Sequence, residues 1–177
     1  GEPRTIYYTH SYKVWKGLLD VATTSKKEKL YVFSNWKSIL DGLQVEYGSI
    51  FGKEEQGFPR KVFTGCYYIS SDSSPEQKEE CSQSCDDVID DFEHLYASPT
   101  ISAGISVDSE KFDTAFGYAG CHSTSPLGTL QLSKRVRTLK SNEVYLYCYK
   151  SIKTPSLKEL AKSSNGGKSA PNNQLVF

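Results

Sequence analysis

Two cysteines, Cys81 and Cys85, stand four residues apart, the spacing that puts both thiols on one face of a helix. With His94, or with Cys121 and His122, they would make up a tetrahedral set for a zinc ion. The same positions lie on the apolar stripe of their helix, however, and a free cysteine packs there as a small hydrophobe. The run Asp86-Asp87-Val88-Ile89-Asp90-Asp91 sets carboxylates at i, i+4 twice, which suits either oxygen ligation of a divalent ion or a wet helix face. Cys121-His122 pairs a thiol with an imidazole, but adjacent residues of an extended segment point to opposite sides, so a second histidine would be needed to activate the thiol. Neither Gly52, Gly57 and Gly65 nor Gly117, Gly120 and Gly128 form a phosphate-cradling pattern. Lys134, Arg135, Arg137 and Lys140 form one basic cluster, and Lys26, Lys27 and Lys29 another. In each case architecture explains the residues as well as chemistry does, so no catalytic group, metal site or cofactor is expected.

The composition narrows the field in the same direction. Lys+Arg and Asp+Glu are both 21 in 177 residues, so there is no global field to concentrate nucleic acid or anionic membrane, and a nucleic-acid surface would have to be local. No apolar run approaches the roughly 20 residues of a membrane-spanning helix. The chain contains no Met and opens on Gly1, which is expected of a processed or excised piece. Its five cysteines would leave one thiol over if the rest paired, so a secreted, disulfide-held interaction protein or toxin-like effector is an alternative to an intracellular domain. There is no Asn-x-Ser/Thr sequon to favour the secretory route.

Elements that could carry these residues follow from periodicity. Thr5–Tyr8 and Tyr12–Lys16 read as β-rich, and Leu30–Phe33 as an apolar strand. Trp36, Ile39, Leu40 and Leu43 recur at helical spacing behind Ser34 and Asn35. Gly48–Phe51 and Lys61–Ile69 read as strands. Ser74-Pro75-Glu76-Gln77 combines an N-cap serine, proline at the first helical position and glutamine at the third, announcing a helix whose apolar positions are Cys81, Cys85, Val88, Phe92 and Leu95. Period-two alternation marks Ile101–Val107, Phe112–Tyr118 and Val144–Tyr149 as half-buried strands. Leu127–Lys140 fits a helix or a strand, and Ser156-Leu157-Lys158-Glu159 opens a brief helix. The expected fold is α+β, a mainly antiparallel sheet of five or more strands with two or three packed helices. It would form one domain over residues 1–162, with room for a small subdomain over 5–63 and a loose polar tail over 163–177.

One region carries a family pattern. Tyr12-Lys13-Val14-Trp15-Lys16-Gly17, Tyr31-Val32-Phe33-Ser34-Asn35-Trp36 and Gly48-Ser49-Ile50-Phe51-Gly52-Lys53 resemble, in order and in most spacings, the hybrid-binding, viroplasmin-like N-terminal domain of eukaryotic type 1 ribonucleases H. Relative to that pattern Leu18–Leu30 are an insertion, and Gly52 and Glu54 stand where the family has a second lysine. The resemblance implies a non-enzymatic module for RNA–DNA hybrids or double-stranded RNA. Phe33 and Trp36 would then be aromatic contacts and Lys53 a phosphate contact. The implied partner is structured nucleic acid, with a protein partner as the alternative.

Overall fold

A computed structural model describes residues 3–56, 62–99, 105–121, 126–149, 168–170 and 174–176. In chain order the elements are β1 (Thr5–Thr9), α1 (Tyr12–Asp20) with a π-helical turn over Val21–Ser25, β2 (Leu30–Ser34), α2 (Lys37–Glu46), β3 (Glu54–Glu55) and β4 (Val62–Phe63). There follow β5 (Cys66–Ile69), α3 (Pro75–Ile89), β6 (His94–Ala97), β7 (Thr114–Ala119), α4 (Pro126–Ser133), β8 (Glu143–Cys148), β9 (Lys168–Ala170) and β10 (Gln174–Val176). They form one sheet in the order β3-β4-β5-β6-β2-β7-β8-β1-β10-β9.

The run from β5 through β6, β2, β7 and β8 to β1 is parallel throughout. Antiparallel pairs are confined to the margins, β3 and β4 beside β5 and β9 and β10 beside β1. The expectation of a mainly antiparallel α+β sheet with two or three helices is therefore corrected to a mostly parallel α/β sheet, with four α-helices among the described residues. Period two marks a strand without revealing the direction of its neighbour. The helices between successive strands impose parallel pairing, because each carries the chain back to its starting edge.

Strand order also distributes the helices. From β1 the chain steps over α1 to β2 and over α2 to β5, moving one way across the sheet; α3 and α4 accompany the return through β6 and β7 to β8. With right-handed crossovers, opposite directions place helices on opposite faces. Two apolar layers result. Trp15 and Leu19 of α1 and Leu40 and Leu43 of α2 pack on Leu30, Val32, Phe116 and Tyr147. Cys81, Cys85 and Ile89 of α3 and Leu130 and Leu132 of α4 pack on Tyr31, Phe33, Ala97 and Leu146. All five residues of β2 are buried, the continuous apolar run of a parallel strand covered on both faces.

Local readings divide along the same lines. The helix at Ser74 forms with its full capping box, Gln77 N donating to Ser74 Oγ at 3.1 Å and Ser74 N to Gln77 Oε1 at 3.2 Å. Tyr12–Lys16 is helical instead of extended, with Ser11 as N-cap and Trp15 and Leu19 turned to the sheet. Gly48–Phe51 is a turn, closed by Ile50 N donating to Tyr47 O at 2.8 Å. Leu127–Lys140 resolves into nearly all of α4 and a single parallel bridge between Val136 and Val107. Most of the Ile101–Val107 strand and the Ser156 helix lie outside the described residues. Among the described residues no helix is long and apolar enough to cross a membrane.

Candidate nucleic-acid interface

In a sheet covered on both faces, ligand crevices open at the carboxyl ends of neighbouring strands whose following connections leave to opposite faces. β2 and β7 are such a pair, since α2 covers one face and α4 the other. At their ends stand Ser34, Asn35 and Trp36, opposite Tyr118 and Gly120. Asn35 Nδ2 donates to Gly120 O at 3.0 Å and Asn35 Oδ1 accepts from Gly120 N at 2.8 Å. The buried carboxamide thus copies a backbone rung and carries the pairing past the strands. Ser34 Oγ donates to Tyr118 O at 2.9 Å and accepts from Trp36 N at 2.9 Å, fixing the turn into α2. A Cβ at Gly120 would stand 3.2 Å from Tyr118 Cε1, close enough that the ring must give by a few tenths of an ångström, and in ordinary contact with Trp36 Cε3 at 3.6 Å.

All four described helices begin at the carboxyl edge of the parallel strands. α1 starts at Ser11 and α3 at Ser74, each with a side-chain cap, whereas Trp36 at the start of α2 supplies no side-chain cap. Neither α1 nor α2 has an acidic residue in its first turn. Helix starts present backbone N–H groups and the positive dipole end, a setting suited to phosphate or another oxyanion. Lys37 adds a cation, held between Asp41 (3.8 Å) and Asp72.

The residues expected to bind nucleic acid are distributed differently from the pattern that suggested them. Phe33 has no exposed surface; it lies on the α3/α4 face, 5.2 Å from the Tyr31 ring and over Gly117. Trp36 is half-buried on the α1/α2 face, 6.2 Å from the Tyr118 ring. Lys53 is exposed and precedes β3, its N–H donating to Thr64 Oγ1 at 3.1 Å. β3 lies four strand positions from β2, roughly 19 Å at the usual strand spacing of about 4.8 Å. The sheet itself separates Phe33 from Trp36, and the three do not share a surface.

All five cysteines are free, which removes the support for a disulfide-held effector. Cys81 and Cys85 share a hydrogen bond with sulfurs 3.1 Å apart inside the α3 layer, where the non-helical Ser84 distorts the helix between them. That bond makes Cys81 easier and Cys85 harder to ionise. Among the described residues no three His, Cys, Asp or Glu side chains are grouped to hold a metal ion. His94 is buried at the start of β6, accepting from Leu30 N at 3.3 Å with its ring 4.8 Å from Phe51; burial holds its pKa down at about 4. Part of the aspartate run does more than wet a helix face. Asp86 accepts from Asp108 N (3.0 Å) and Ser109 N (2.9 Å), tying the β6–β7 connection to α3.

The Arg135–Arg137 cluster lies at the opposite edge, because α4 runs back toward the strands' amino ends. Val107 N donates to Arg135 O at 2.7 Å and Arg137 N to Val107 O at 2.9 Å, while Val136 between them is buried. Arg135 and Arg137 therefore flank the bridge on its outer side. Arg137 Nε reaches Asp108 Oδ1 at 3.0 Å, both side chains well exposed, and Arg4 ties down the segment by donating to Ser133 O and Val136 O. Arg135 and Arg137 are legible in the sequence as a basic cluster, whereas the Asn35–Gly120 pair is not. Asn35 directly after an apolar strand was the available signal.

No protein-family model matches the chain, and no curated protein does. Among solved structures it is similar to a CRISPR-associated protein, with 15% identity over 82% of this chain and 17% of that one and a TM-score of 0.51. It is also similar to the C-terminal part of the Fun30 ATPase domain, with 15% identity over 93% of this chain and 48% of that one and a TM-score of 0.49. The chain thus spans about half of one and a sixth of the other. At such identity the likeness to the CRISPR-associated protein concerns the fold alone.

Proposed function

We propose that the chain is a nucleic-acid-binding α/β lobe, non-enzymatic by itself, that grips strand phosphates along the carboxyl edge of its parallel sheet. The observation that carries this is the start of α2 at the β2/β7 crevice with the start of α1 beside it, Tyr12 standing against Tyr118, where Asn35 and Gly120 join the strand ends and Trp36 and Lys37 stand at the opening of α2. Backbone N–H groups and helix dipoles bind a phosphate chain without reading its bases. The chain needs no net positive charge for this. Of the three residues drawn from the ribonuclease H resemblance, Trp36 remains at the proposed interface. Binding is tested with labelled RNA–DNA hybrid, duplex and single-stranded oligonucleotides in low salt. Affinity should fall as salt rises, and Lys37→Gln should weaken every probe alike. Oligonucleotides that all stay free at about 100 µM protein, the upper end of ordinary non-specific affinity, would sink the reading.

The Arg135–Arg137 bridge favours a second, compatible role. The exposed, forked guanidinium of Arg137, beside Asp108, suits the phosphates of a nucleotide, and the sequence has no phosphate-cradling loop of its own. The lobe would then lend an arginine to a nucleoside triphosphate held by another lobe, as in a nucleotide-driven motor. In an assembly that hydrolyses the nucleotide, Arg137→Ala should lower the rate by about 10³-fold or more while oligonucleotide binding persists. Unchanged hydrolysis would exclude this role.

A further inference from the structure

The α1/α2 face of the sheet is unusually aromatic toward its carboxyl edge. On β8 the residues facing α1 are Tyr145 and Tyr147, and the alternation continues to Tyr149, whose N–H extends the ladder to Ala119 O at 2.9 Å. On β7 the same face carries Phe116 and Tyr118. Tyr118 and Tyr147 lie 4.5 Å apart, and Trp36 joins Tyr118 from the end of β2 at 6.2 Å. Tyr12, the first residue of α1, completes the band. It stands edge-on to Tyr118 at 6.0 Å and to Tyr147 at 5.9 Å, with Trp15 behind it at 6.0 Å.

Three rings thus brace Tyr12, yet 41% of it is exposed, as is 44% of Tyr149. Charge follows the same line. The band runs from the start of α2 to the start of α1, neither with an acidic first turn, and Lys13 is exposed beside Tyr12. Flat π faces flanked by positive ends match a ligand whose flat groups hang from an anionic chain.

We propose that this band stacks the bases of an unpaired nucleic-acid strand, with Tyr12 and Tyr149 as the contacting rings and the strand's phosphates directed to Lys13 and the starts of α1 and α2. The inference rests on the phosphate-grip reading and names its substrate class: single-stranded DNA or RNA in preference to duplex, whose bases are already stacked on one another. The contact is tolerant of sequence, because every base has a π face.

The test is fluorescence anisotropy with a labelled oligothymidylate and a duplex of equal length, across a salt series. Single strand should bind more tightly than duplex. Tyr149→Ser and Tyr12→Leu should each lose about 5- to 100-fold in single-strand affinity, the cost of one stacked base, with the salt slope unchanged. Lys13→Gln should instead reduce the salt slope, by roughly 0.7 for one single-strand phosphate contact. Tyrosine variants that bind like wild type while Lys13→Gln binds more weakly would overturn stacking and leave the phosphate grip standing. Duplex bound as tightly as single strand would also overturn it. Failure of every probe would remove both proposals. Thermal unfolding checks each variant; should Tyr12→Leu fail to fold, Tyr149→Ser, at the open end of β8, decides the question.

Discussion

Replacing Asn35 with alanine tests whether the carboxamide holds the crevice. The substitution removes both bonds to Gly120 and leaves that residue's N–H and C=O without their partner. A buried backbone group stripped of its partner costs about 1–3 kcal/mol, and because the crevice borders solvent, water can enter and keep each loss toward the lower end. The expected total is about 2–4 kcal/mol. For a chain of 177 residues the unfolding entropy near the midpoint is roughly 0.37 kcal/mol/K, so Tm should fall by about 5–11 °C. Asn35→Asp sharpens the test. At pH 7 it keeps the acceptor for Gly120 N–H but sets a carboxylate oxygen against Gly120 O, so it should be at least as destabilising as alanine. Burial beside a carbonyl favours the protonated acid, which restores a donor. The folded variant then binds more protons than the unfolded one, and the gap to wild type should narrow as pH falls. Calorimetry or urea unfolding of the three proteins at pH 7 and pH 5 reads this directly. An alanine variant within 0.5 kcal/mol of wild type, or an aspartate variant whose deficit does not shrink on acidification, would show that the Gly120 contact does not hold this edge.

Two further substitutions probe the scaffold. At Gly117, in the middle of β7, an added Cβ would stand 2.4 Å from Phe33 Cε2 and 2.7 Å from Leu146 Cδ1, so Gly117→Ala should cost about 1–3 kcal/mol by overpacking. Adding Phe33→Leu should recover part of that loss in a double-mutant cycle; strict additivity would place Phe33 away from Gly117. His94 predicts an acid weakness. Its folded pKa is depressed from 6.5 to about 4, so between those values the unfolded chain takes up a proton that the folded one refuses, and stability falls as pH drops through that window. The loss approaches about 3 kcal/mol near pH 4. Urea midpoints for wild type and His94→Gln should show the variant with the shallower pH dependence between 6.5 and 4, and parallel curves would contradict it.

Much of the local structure was legible in the chain, and the reason is that its causes are local. The Ser74 capping box, the 36–43 helical spacing and the tyrosine alternation of β8 each depend on residues within a few positions of one another, and each element formed. Tyr12–Lys16 reads as β-rich because aromatic and β-branched residues favour strands on average, yet it is helical. The period that matters there is Trp15 to Leu19, one helical turn facing the sheet. Strand direction could not be read from strand residues, since parallel and antiparallel ladders share period two, and the helices between strands are what decided it.

The candidate interface depended on tertiary structure for the same reason. Asn35 and Gly120 are 85 positions apart and meet because β2 and β7 are neighbours, a consequence of strand order that no local pattern encodes. Phe33 and Trp36, three residues apart, are divided by the sheet, because one strand residue faces α3 and α4 while the turn after the strand leads to α2. By itself the sequence determined which segments are apolar, where α3 starts and which side of β8 is tyrosine. The parallel winding decided which edge those tyrosines share with the helix starts, because position across a sheet follows from the crossovers and not from the strands they join.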